Sequence, residues 1–160
     1  MGPVNGRAGG AETAMDFDIR VKLAIYRAFA DTARRPALEQ IAAQVGAAPD
    51  EVGAAYRRLA ANRLLVLEPD GRTIRMAPPF SGVPTQHRVR AGELEYVANC
   101  AWDAFGILAA LRRPGEVRSR CEQSREPLRF EVGLDGPPPS DWLFHCEVPA
   151  ARWWRDIVFT

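Results

Sequence analysis

The chain has 160 residues, 47% of them hydrophobic, with 21 Lys and Arg against 20 Asp and Glu for a formal net charge of +1. That length suits one domain of ordinary size or two small ones, and the near-neutral charge excludes a global field demanding a polyanionic partner, so nucleic-acid binding would need a local patch. No apolar run approaches the roughly 18 residues of a bilayer span and no basic-then-apolar leader opens the chain, so the sequence reads as cytoplasmic, without a membrane part.

Residues 1–15 begin with "MGPVNGRAGGAETA", rich in Gly and Ala and without apolar period, and read as a disordered leader ahead of a second methionine, Met15. Phe17, Val21, Ala24, Ile25, Ala28 and Phe29 then recur at helical spacing, with Arg20, Lys22 and Arg27 on the outer face. Pro36 opens a short second helix carrying Leu38, Ile41, Ala42 and Val45, which Gly46 can end in a left-handed conformation. Pro49 and Asp50 start a third, with Val52, Ala55, Tyr56 and Leu59 inward. The run "LLVLEPDGRTIRMA" changes to an extended period around Pro69-Asp70-Gly71, a hairpin signal. Three helices and a hairpin over residues 16–78 make a winged helix-turn-helix-like unit. "APPFSGVPTQ" reads as the start of a Pro/Gly linker over 79–92.

The second unit, residues 93–160, opens with "ELEYVANCAWDAFGILAALRR", read as one long, mostly apolar helix from Glu93 to Arg112. Alternation then places Val117, Ser119 and Cys121 on one strand and Leu128, Phe130 and Val132 on the next. A third strand is expected at "WLFHCEVP" after the "GPPPSD" loop. The expected fold class is α+β: a winged-helix-like three-helix domain followed by a small helix-plus-antiparallel-sheet domain. The closing apolar run Ile157 to Phe159 stops without a polar exit, as if this domain were truncated.

Chemistry concentrates in "NCAWDAFG". Residues i and i+3 lie about 60° apart around a helix, so the Cys100 sulfur and the Asp103 carboxylate can face one small volume. A helix start capped by Asn99 would place Cys100 in the first turn, where free N–H groups favour a thiolate; a start near Glu93 would remove that benefit, and both remain open. A carboxyl flanked by Trp102, Ala104 and Phe105 should have its pKa raised by desolvation. A soft thiolate beside a general acid suits chemistry at a soft metal or an electrophilic carbon. The plain alternative is an inert core cysteine and an Asp that caps or pairs with Arg112 or Arg113.

The run "ANCAWDAFGILAALRR", followed by "VRSRCEQSREPL", resembles the catalytic helix and following strand of the alkylmercury lyases, and the preceding helical segment resembles their N-terminal domain. The resemblance covers residues 16–160. It implies protonolysis of R–Hg–X to R–H and Hg(II), with Cys100 as the first mercury-binding cysteine, Asp103 as proton donor and Cys121 as a structural cysteine. It implies no cofactor beyond an external thiol. The partners it implies are an organomercurial or Hg(II) and a mercuric-ion-handling protein that accepts the product. The family's second mercury-binding cysteine is expected just after an apolar segment like "DIVFT", where this chain stops at Thr160. Cys146 lies upstream, on a strand that could turn it inward, and is a poor replacement, so impaired cleavage is expected.

His87 and His145 lack ligands at zinc spacing and read as surface or strand histidines. Trp153-Trp154, between Arg152 and Arg155, reads as one core ring and one ring over a sheet edge. Arg57, Arg58, Arg63, Arg72 and Arg75 support a rival reading, a winged-helix DNA-binding regulator sensing a soft metal or electrophile through Cys100.

Overall fold

A computed structural model describes residues 13–158. Most of the expected leader, residues 1–12, and Phe159 of the closing apolar run, with Thr160, lie outside that range.

Helix α1, Ala14–Thr32, begins on a capping box in which the Asp16 N–H donates to Thr13 Oγ1 at 3.1 Å and the Thr13 N–H donates back to Asp16 Oδ2. Thr13, Ala14 and Met15 therefore belong to the helix start and not to a leader. Its buried face, Val21, Ala24, Ile25 and Phe29, is the apolar stripe read from the sequence. Helix α2, Leu38–Val45, starts after Pro36 and ends at Gly46 with φ +65°. Helix α3, Pro49–Ala61, starts at its proline, and the Glu51 carboxylate accepts the Ala48 N–H at 3.0 Å.

Strands β1, Val66–Leu67, and β2, Ile74–Ala77, form the expected hairpin. At its tip Asp70 Oδ1 accepts the N–H groups of Arg72 and Thr73, each at 2.8 Å, while Oδ2 takes the Thr73 hydroxyl. A third strand, β3, Phe80–Ser81, extends this antiparallel sheet in the order β1-β2-β3.

The next stretch departs from the sequence reading. Residues 79–92 contain β3 and β4, Arg88–Ala91, where a linker was expected. Leu94–Val97 is strand β5, not the first turns of a helix. "RVRAGELEYV" is a hairpin: Val89, Ala91 and Tyr96 point into the core, and Gly92 takes φ +61° at the first position of a two-residue turn. Glu and Leu are good helix formers, but propensity is worth at most about 0.7 kcal/mol per ordinary residue, and pairing of β4 with two neighbours overrides it.

Helix α4 is therefore shorter than expected, Ala101–Leu111. It packs on β4 and on β6, Gly115–Arg120, which with β7, Pro127–Val132, completes a four-stranded antiparallel sheet in the order β5-β4-β6-β7. At Gly115 a Cβ would lie 2.2 Å from the Arg90 carbonyl oxygen and 2.7 Å from the Leu108 side chain, so helix and sheet approach there only because the residue has none. The strand expected at "WLFHCEVP" is absent. Residues 137–149 are neither helix nor strand, and Leu143 and Phe144 are exposed. Three successive prolines, Pro137 to Pro139, lead into it and remove N–H donors that a ladder would use. A short 3-10 helix, Ala150–Arg155, follows. Neither Trp153 nor Trp154 enters the core: both are half-buried, Trp153 donating to the Val148 carbonyl at 2.6 Å and Trp154 lying under Arg63.

One buried apolar cluster joins the helices to both sheets. Phe80 is its hinge, stacked on Phe29 at 5.3 Å and touching Tyr26 and Tyr96 at 6.3 and 5.9 Å between ring centres. Tyr96 also donates its hydroxyl to the Ala30 carbonyl at 2.6 Å. Runs of helices followed by antiparallel strands make the fold α+β. Among the described residues no helix is long and apolar enough to cross a membrane.

A candidate active site at the start of helix α4

Because β5 ends at Val97, the chain turns into α4 just where the chemistry lies. Cys100 itself is the N-cap, with φ −146° and ψ 178°. Its sulfur accepts the N–H of Asp103 at 3.4 Å, so the two residues singled out by spacing touch each other directly. Asn99, considered as the cap, does something else. Its Nδ2 donates to Asp103 Oδ2 at 3.0 Å and to the carbonyls of Pro79 and Phe80 at 3.2 and 3.3 Å, tying the acid to the end of β2 and the start of β3. Asn99 Oδ1 is buried with no partner, an unused acceptor beside the pair.

The electrostatics follow from burial. Desolvation pushes the Cys100 thiol up, the Asp103 charge adds to this, and the N–H groups of Asp103 and Trp102 pull it back. The helix-start benefit to a thiolate is therefore present but outweighed. Asp103 is likewise raised by burial, against the hydrogen bonds from Asn99 and Cys100. Two acids that each resist ionisation and share a contact titrate as one unit. Both remain partly open to solvent, so a reagent can reach them.

One contributor escaped the sequence reading, and a second was weighed there as a poor replacement ligand. Tyr26, on α1, has its phenol raised first by burial and then by the nearby Asp103 charge, and it donates to the Pro78 carbonyl at 2.9 Å. Its only sequence signal was an aromatic at the margin of an apolar stripe. Cys146 is the second. It is exposed, not packed inward on a strand, and its charge would oppose ionisation of Cys100. The irregular segment is held over α4 by the Phe144 ring, 5.5 Å from Trp102.

Other expected residues lie elsewhere. Cys121 sits in the β6–β7 turn, where the Ser124 hydroxyl and then the N–H groups of Ser124 and Gln123 lower its pKa. His87, just before β4, is half-buried against Ser119 Oγ at 2.8 Å, and burial lowers its pKa. Of the arginines offered for DNA, Arg58 holds Asp18 in a fork at 2.6 and 2.8 Å, Arg72 pairs with Asp50 and Glu39, and Arg75 pairs with Glu68. Asp103 is bonded to Asn99, not to Arg112 or Arg113.

A thiol capping a helix and touching a half-buried carboxyl is the constellation on which comparison with known proteins bears. The alkylmercury lyase family, MerB, matches residues 80–160, from β3 to the last residue. The chain belongs to the alkylmercury lyase family. Its function is accordingly organomercurial lyase-like. The fold is similar to that of a solved structure, the mercury-bound form of MerB2, with a TM-score of 0.58 at 20% identity, covering 79% of this chain and 68% of that one. Since 79% of 160 residues exceeds the 81 residues of the family match, the likeness of fold of this alkylmercury lyase family member reaches back into the N-terminal helices. No curated protein sequence matches the chain.

Proposed function

We propose that this chain cleaves carbon–mercury bonds by protonolysis, with Cys100 as the mercury-binding thiolate and Asp103 as the proton carrier. The observation that carries the proposal is the direct contact of the Asp103 N–H with the Cys100 sulfur at 3.4 Å, in a half-buried niche where both groups resist ionisation.

The resting pair holds one proton more readily than none. As the mercury of R–Hg–X meets the sulfur, the thiol proton passes to the Asp103 carboxylate, the S–Hg bond forms and X⁻ leaves. Mercury is soft and prefers sulfur to oxygen, so the carboxyl stays free to act as an acid. The Asp103 proton then goes to the carbon, whose bonding pair it takes; R–H departs and Hg(II) stays on sulfur. Hg(II) needs a second thiolate. An external thiol supplies one, delivers the substrate and removes the product. The N–H groups of Trp102 and Asp103 stabilise negative charge on the sulfur throughout.

The test is hydrocarbon release from an arylmercury salt in excess thiol, followed by gas chromatography. The parent chain should release the arene, whereas Asp103→Asn and Cys100→Ser should not. Equal release by the Asp103→Asn chain would end the assignment.

A further inference from the structure

A cavity of about 790 Å³ runs along α4 on a different side from the reacting pair. Trp102, Phe105, Ala109, Arg112 and Arg113 line it at helical spacing, and neither Cys100 nor Asp103 does. Its walls are the end of β7 with the following turn, including Leu134, and the irregular segment through Phe144. Trp102, Leu134 and Phe144 are 62%, 74% and 49% exposed. Single exposed apolar side chains are ordinary, but three around one concavity of ligand size point to an occupant.

The ends of the groove differ. The tilted rings of Trp102 and Phe144 meet at one end, and Arg112 and Arg113 stand at the other, about 16 Å away at about 1.5 Å per helical residue. Among the described residues neither arginine forms an ion pair, although most other arginines of the second sheet do. Asp135, the carboxylate of the facing turn, pairs with neither. Apolar length ending in unneutralised positive charge is complementary to an amphiphile with an anionic head. We propose that this groove is a binding site, separate from the reacting pair, for an elongated apolar molecule with a terminal carboxylate.

The groove takes the alkyl chain against Phe105 and Trp102, and the two guanidinium groups take the carboxylate. Calorimetric titration of the full chain with dodecanoate below its micellar concentration, beside dodecyltrimethylammonium, tests this directly. Dodecanoate should bind saturably, one to one, and at least tenfold more tightly than the cation. Arg112→Gln with Arg113→Gln should weaken it at least tenfold, and Ala109→Trp, at an exposed lining position, should abolish it. Cys100→Ser should leave it unchanged, which separates this site from the proposed reaction. No saturable binding, or equal affinity for the two amphiphiles, would overturn the proposal. So would a free chain that sediments as a dimer broken by Ala109→Trp, because a second copy would then cover the groove.

Discussion

Cys100 has two roles at one atom: its sulfur caps α4 and is the proposed mercury ligand. Serine caps a helix at least as well, so Cys100→Ser should retain the parent melting temperature within a few degrees yet lose the Cys100 share of the mercury–thiolate ultraviolet absorbance, Cys121 and Cys146 keeping theirs. Asp103→Asn keeps a planar polar group beside Asn99 but carries no acidic proton. Hydrocarbon release should fall at least about 100-fold while Hg(II) still binds. The pH dependence has a definite sign. The active pair holds one proton, so activity is lost on the acid side when Asp103 protonates and on the alkaline side when the pair loses its proton. Because burial raises both groups, the acid limb should lie above 3.8 and the alkaline limb above 9.0. Asn99→Ala removes a hydrogen bond that lowers Asp103, so the acid limb of kcat/KM should move to still higher pH.

Elements position these residues, and the β4–β5 hairpin matters most. It delivers the chain to the start of α4, and its turn depends on Gly92 at φ +61°. A Cβ there would meet nothing within 4 Å, so Gly92→Ala should cost only its backbone strain, about 1–2 kcal/mol in denaturant unfolding. The β1–β2 turn gives a pH signature of its own. Hydrogen bonds from Thr73 and then the Arg72 N–H lower Asp70 to about 2. A carboxylate depressed in the folded state stabilises the turn above the ordinary carboxyl pKa of 3.8 and loses that contribution as pH falls toward 2. Side-chain carboxyl NMR should show Asp70 titrating below the ordinary aspartate value of 3.8, and Thr73→Val should bring it back up.

At the scale of the whole molecule, Phe80 joins what the family match covers to what it does not. Its ring packs between Phe29 of α1 and Tyr96 of β5, and Asn99 bonds to its carbonyl. Phe80→Ala should cost about 3–5 kcal/mol and melt helices and sheet together, as followed by circular dichroism and tryptophan fluorescence. The local part of this architecture was legible. Period and caps identified α1 to α3, the Asp70 hairpin and the β6–β7 pair, because their signals lie within a few residues of each other. "RVRAGELEYV" was not legible, since its strands are decided by pairing with β6, whose partners lie some distance along the chain.

The sequence alone singled out the two residues proposed to carry the chemistry: a thiol and a carboxyl three apart on a helix can face one small volume, and their types set what they can do. Tertiary structure decided where that helix begins, that Cys100 is its cap, and that Asn99, Tyr26 and Cys146 surround the pair. Those outcomes depend on contacts between segments far apart in the chain, and burial, which raises both acids, exists only once those segments pack.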